Sequence, residues 1–121
     1  VIVAGGVVRK DRGVIGESTI DFIRQFKVDY GIIGISGIDS DGTLLDFDYR
    51  EVRVAQAIID NSRQVFLVSD HTKFSVTPMV KLGTLAEIDA FFTDAAPPKS
   101  ILDGIAETKT RLVIADETPG A

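Results

Sequence analysis

Residues 29–42 read Asp29-Tyr30-Gly31-Ile32-Ile33-Gly34-Ile35-Ser36-Gly37-Ile38-Asp39-Ser40-Asp41-Gly42, and their order decides the fold class. From Tyr30 to Ser36 every side chain is apolar or small, without the polar alternation of a strand that wets one face. A run of this kind is expected of a central parallel strand covered on both faces, and its glycines leave room for another backbone or a ligand. Residues 37–42 are built from turn formers, so a loop follows the strand.

On either side of this stretch the period changes. Ile20, Ile23 and Phe26, with Phe22 beside them, recur every three or four residues while Glu17, Asp21, Arg24 and Lys27 fill the other face. That spacing predicts a helix over 17–27. Residues 1–4 form a short β-branched run stopped by Gly5-Gly6, and Val7-Val8 resumes it before a polar loop. Downstream, 43–48 is a short extended piece. Asp48 is placed to cap a helix over 49–61, whose Val52, Ala55, Ile58 and Ile59 keep helical spacing.

A second buried-looking strand, 64–69, ends abruptly at Ser69-Asp70-His71-Thr72-Lys73. Polar groups gathered just past a parallel strand are where open α/β sheets bind ligands. An edge strand at 79–82, one helical turn at 84–87, a strand at 88–93, a helix from Pro97-Pro98 to 108 and a last strand at 111–115 complete the reading, with 116–121 as a frayed tail. Strands alternating with helices imply right-handed crossovers and an α/β fold with a mostly parallel sheet covered by helices.

Composition bounds the function. A length of 121 residues allows one domain or part of one. The chain opens directly in an apolar run without Met, and is read as a fragment. Hydrophobic residues at 45% and charged residues at 26% suit a packed core. With 13 Lys+Arg against 18 Asp+Glu the net charge is −5, which is unsuited to neutralising DNA phosphates, so DNA affinity must come from elsewhere. The absence of cysteine removes disulfides, thiol nucleophiles and thiolate metal sites, and fits a reducing compartment such as the cytoplasm. No apolar run approaches the ~20 residues that span a bilayer, and no secretory signal pattern opens the chain.

Among candidate residues Lys73 leads, because a cation at a strand's carboxyl end suits a phosphate monoester, against the alternative of a solvated surface lysine. Asp39 and Asp41 could orient sugar hydroxyls or act as a base, or serve only their own turn. Glu51 could hold a ligand hydroxyl or merely favour the positive end of its helix. His71 is the one histidine, so a histidine-rich zinc site is impossible and no metal is expected. A structural hydrogen-bonding role suits it best. Gly5-Gly6 could expose backbone N–H groups to an oxygen-rich ligand or simply turn the chain, and neither a dinucleotide fingerprint nor a P-loop is present.

Residues 29–42, with Asp70-His71-Thr72-Lys73-Phe74 downstream and Ala4-Gly5-Gly6 upstream, resemble the effector domain of DeoR-family bacterial transcriptional repressors, over nearly the whole chain. The resemblance implies a sensor, similar in fold to ribose-5-phosphate isomerase and the coenzyme A transferase-like proteins. In the complete protein this sensor would be fused to an N-terminal winged helix-turn-helix that binds operator DNA. It implies a homo-oligomer without a cofactor, and a phosphorylated sugar or polyol, glycerol 3-phosphate foremost, as effector. By the same resemblance Lys73 would pair with the phosphate, Asp39 and Glu51 would hold hydroxyls, and Gly5, Gly6 and Gly37 would permit close approach. Gly42 and Asp70 complete the expected ligand-binding set. An N-terminal part of the family's sensor, with its Gly-Thr-Thr phosphate loop, would precede residue 1, and Ser75 replaces the glycine that usually follows the Asp-His-Ser/Thr-Lys-Phe motif.

The alternative from another class is a sugar-phosphate isomerase using Asp39 and Glu51 as proton-transfer groups. Against it, Thr43-Leu44-Leu45-Asp46-Phe47 stands where the isomerases have a glycine run around their catalytic lysine. A purely structural oligomerisation module is a third reading.

Overall fold

The computed structural model describes residues 7–8, 14–15 and 17–115, with side chains described from residue 19. The expected strand at 1–4, Gly5, Gly6 and the tail at 116–121 lie outside the described residues. The elements run β1 (Val7–Val8), β2 (Val14–Ile15), α1 (Glu17–Ile23), β3 (Val28–Ile33), β4 (Gly37–Ile38), β5 (Thr43–Asp46), α2 (Tyr49–Asp60), β6 (Ser62–Val68), β7 (Val80–Thr84), β8 (Ala90–Thr93), α3 (Lys99–Ala106) and β9 (Arg111–Ile114). Short 3-10 turns occupy His71–Ser75 and Leu85–Glu87.

The principal sheet has the order β3-β6-β8-β9 and is parallel throughout. A three-stranded antiparallel sheet, β4-β5-β7, and the β1-β2 pair complete the strands among the described residues. The fold class is therefore α/β with a mostly parallel central sheet, as the alternation of elements implies.

Helix α2 begins where expected. The Asp48 carboxylate accepts the backbone N–H of Arg50 at 2.8 Å, satisfying one of the four donors that a helix start leaves orphaned. Val52, Ala55 and Ala57 are its buried residues, and Val52 and Ala55 join the core that covers the sheet. Helix α1 stops earlier than its apolar spacing predicts. Gln25 and Phe26 donate to the carbonyls of Phe22 and Ile23, three residues back, so the chain tightens and leaves the α-helix after Ile23.

Two expectations about the first parallel strand are corrected. It is the edge strand of its sheet among the described residues, not a central one. Nor do the described residues cover both its faces: Gly31 and Ile33 are buried, whereas Tyr30 and Ile32 are 61% and 66% exposed. The topology supplies the reason. Each step from β3 to β6, to β8, to β9 moves the same way across the sheet, and right-handed crossovers taken in one direction stack their helices on one face. That face holds the core, where Ile33, Val65, Leu67, Phe91 and Ile101 meet Val52 and Ala55. The opposite face carries an aromatic row, Tyr30 against Phe66 at 5.4 Å between ring centroids and Phe66 against Phe92 at 5.6 Å.

Residues 37–42 are also more ordered than a loop. Gly37 and Ile38 pair antiparallel with Leu45 and Leu44. The hairpin turns at Gly42, whose φ of +87° is a backbone state side chains rarely tolerate.

Candidate functional site

The carboxyl ends of all four parallel strands open on one cleft. Gly34 and Ile35 line it from beyond β3, Ser69, Asp70 and Lys73 from beyond β6, Thr93 and Asp94 from the end of β8, and Ala115 from beyond β9. This is the rim at which open α/β sheets bind ligands, because strand ends converge there while the loops remain free to vary.

The turn that carries Lys73 is fixed locally. Asp70 caps it, its carboxylate accepting the Thr72 backbone N–H at 2.9 Å and also the Thr72 hydroxyl, while the Lys73 N–H donates to the Asp70 carbonyl at 3.2 Å. The Thr72 hydroxyl and N–H hold the Asp70 carboxyl below the usual carboxylate range, and the Lys73 ammonium adds to that effect. Phe74 anchors the turn from below, its ring meeting Phe91 edge-on at 6.2 Å. Lys73 is half-buried.

From the next strand, Asp94 reaches the same turn twice. One oxygen accepts the His71 backbone N–H at 2.8 Å and the other lies 2.9 Å from His71 Nδ1. The hydrogen bond and charge of Asp94 raise the imidazole above its ordinary value, and His71 in turn lowers Asp94. His71 thus makes structural hydrogen bonds, as its lone occurrence suggests. Thr93 beside it is 3% exposed, and its hydroxyl has no hydrogen-bond partner among the described residues.

A second cleft shares Gly34 and Ile35 with the first and is lined further by Ser36, Asp46 and Glu51. Glu51 stands in the first turn of α2, half-buried. Asp46 is a buried carboxylate that accepts the Ser36 hydroxyl at 3.0 Å and the Phe47 N–H at 2.7 Å, fastening the end of β5 to the chain leaving β3. Lys73 and Asp70 therefore border one cleft and Glu51 the adjoining one, with Gly34 and Ile35 between.

Gly37, Asp39 and Gly42 line neither cleft. The Asp39 carboxylate accepts the N–H of Ser40 at 2.8 Å, an interaction internal to its turn. A Cβ on Gly37 would overlap the Val76 carbonyl and stand 2.5 Å from Pro78 Cδ, so that glycine admits the chain after the Lys73 turn. At Gly42 the positive φ makes the turn, and its carbonyl accepts the Leu85 N–H at 3.1 Å. Asp41 likewise serves its turn, lowered by the Thr43 hydroxyl and N–H. Among the described residues no group of three or more histidine or acidic side chains could hold a metal ion. None of their helices is long and apolar enough to cross a membrane.

Thr93, Asp94 and Asp46 belong to these clefts without having been singled out from sequence for a role. The available signal was a Thr-Asp pair closing a buried strand, the same pattern as Ser69-Asp70 on its neighbour.

Residues 1–95 match the family model described as the DeoR C terminal sensor domain. The chain is 54% identical over 113 residues to the glycerol-3-phosphate regulon repressor of Escherichia coli K12, covering 93% of this chain and 45% of that protein. Identity to the protein of the same name from Haemophilus influenzae is 50% over 114 residues, covering 94% and 44%. The HTH-type transcriptional repressor CsqR of Escherichia coli K12 is 33% identical over 118 residues, covering 97% and 45%. The chain thus spans less than half the length of these curated relatives.

Proposed function

This chain belongs to the DeoR C-terminal sensor domain family, and from that premise we propose that it binds a small phosphorylated polyol, glycerol 3-phosphate foremost, without chemically converting it. In the complete protein, occupancy would then control operator binding by an N-terminal winged helix-turn-helix outside this chain. Such a repressor would act in the cytoplasm as a homo-oligomer.

The observation that carries the reading is Lys73, half-buried at the rim where four parallel strands end. The two acids beside it have their oxygens engaged by hydrogen bonds, Asp70 from Thr72 and Asp94 from His71, and Lys73 is the cation among the residues that line the cleft. The buried Thr93 hydroxyl is a polar group that a ligand oxygen would satisfy. Glu51, across Gly34, would take a hydroxyl of the polyol. Asp39, Gly37 and Gly42 would contribute by shaping the hairpin at the edge of the site, and Gly5 and Gly6 by backbone approach. Binding alone suffices for control, because a ligand that favours one arrangement shifts its population.

A thermal-shift screen with glycerol 3-phosphate, ribose 5-phosphate and fructose phosphates tests this. A ligand present at a hundred times its Kd stabilises the native state by about 2.7 kcal/mol, and Lys73→Ala should abolish the shift. No shift with any of these ligands, or a shift that survives Lys73→Ala, would refute the assignment. Turnover of ribose 5-phosphate would favour the isomerase reading instead.

A further inference from the structure

Among the described residues, the side-chain link between the Lys73 turn and the neighbouring strand β8 is a single carboxylate, Asp94. The other side-chain hydrogen bonds described for the turn are internal to it or come from the strand that leads into it: Thr72 to the Asp70 carboxylate, the Ser75 hydroxyl to the Thr72 carbonyl at 3.4 Å, and the Ser69 hydroxyl to the Asp70 carbonyl at 3.2 Å. Asp94 spans from the end of β8 and engages His71 at both backbone and ring. An acid lining a cleft proposed to take an anion is unfavourable there unless a cation holds it, and the imidazole is placed to do so.

We infer that Asp94 and His71 form a positioning pair that sets the Lys73 turn against the sheet and, if the cleft takes a phosphorylated effector as proposed above, makes effector binding weaken as pH rises. The groups facing the imidazole are Asp94 from β8 and Asp70 from its own turn, both acids. Strand β4, packed against the turn, contributes only Gly37 and Ile38, which do not ionise. Lys73, on the same turn, acts on Asp70.

The sign follows from the raised imidazole. A proton held more tightly in the folded state keeps the ion pair intact below the ordinary histidine value of 6.5, and the pair is lost as pH climbs through the raised value. Asp94, held low, stays ionised throughout that range. Deprotonation thus loosens the tether and leaves a net negative charge at the anion cleft, and both effects lower affinity.

The test is calorimetric titration of glycerol 3-phosphate into this chain, from about pH 6 to about 8.5, for the wild type, His71→Asn, Asp94→Asn and Asp94→Ala. The phosphate's own ionisation is common to all four and cancels in their ratios. Relative to His71→Asn, wild-type affinity should fall about two- to fivefold across the range, the scale of an exposed ion pair. Asp94→Asn keeps an oxygen for the His71 N–H and should retain most affinity while losing the pH dependence. Asp94→Ala should lose roughly tenfold at about pH 6 and correspondingly less toward about pH 8.5, because it too loses the pH dependence.

A flat wild-type ratio, or Asp94→Ala binding as tightly as wild type, overturns the inference. Should Lys73→Ala abolish binding while Asp94→Ala leaves it unchanged, the sensing role stands and the positioning role fails. Should the wild type bind nothing at any pH, both fail. Independently of ligand, the His71 ring titration followed by NMR should move back toward its ordinary value in Asp94→Asn; an unmoved midpoint also refutes the pair.

Discussion

Gly31→Ala should destabilise the chain although it adds only one methyl group. A Cβ at that position would overlap Ser62 Oγ and stand 2.7 Å from Ile58 Cγ2 and 3.0 Å from Ser62 Cβ. Ser62 cannot simply swing aside, because its hydroxyl donates to the Ile58 carbonyl at 2.6 Å and the residue is buried. The end of α2 must lift from β3 instead. Overpacking of this kind costs about 1–3 kcal/mol. At about 3–5 °C per kcal/mol for a domain of this size, the melting temperature should fall by roughly 3–15 °C. Urea denaturation gives the free energy directly. Ser62→Gly in the same chain removes two of the three obstructing atoms, leaving Ile58 Cγ2, so the double variant should recover at least ~0.5 kcal/mol relative to additivity. A Gly31→Ala change within about 0.5 kcal/mol of wild type, or strict additivity with Ser62→Gly, would refute the claim that this glycine seats α2. Because α2 carries Glu51, lifting it should also disturb the cleft beside Gly34.

Two phenylalanine and isoleucine changes separate the faces of the sheet. Phe91→Ala, at a fully buried ring, should cost about 3–5 kcal/mol by chemical denaturation. Ile32→Thr, on the open face of β3, should stay within about 0.5 kcal/mol. Asp48→Ala removes the cap of α2 and should cost about 1 kcal/mol, measured the same way, with Asp48→Ser recovering most of it. For pH dependence, the His71–Asp94 contribution to stability is lost at the alkaline end as the raised imidazole deprotonates. At the acid end it is lost as pH falls through the lowered Asp94. Melting temperature followed against pH should therefore be flatter in Asp94→Asn than in wild type.

The periodicities that define α2, β6, β8 and β9 lie within a few residues of one another along the chain, which is why they were legible. Val52, Ala55 and Ile58 announce a helix by spacing alone, and Asp48 announces its start because a cap acts over two residues. The premature end of α1 and the pairing of Gly37 with Leu45 were not legible, since each depends on a competing local turn or a partner strand. Of the expected site, Lys73 and Asp70 share one cleft and Glu51 the next, while Asp39 turns onto its own backbone.

The α/β class, the family and the polar motif that ends β6 can all be read along the chain, because propensity, period and capping are interactions between near neighbours. Which face of the sheet the helices cover, and that Asp94 meets His71 from 23 residues away, emerge only once the strands are assembled. Those outcomes follow from strand order and parallel register, which bring distant strand ends to one rim and leave no trace in the spacing of residues along the chain.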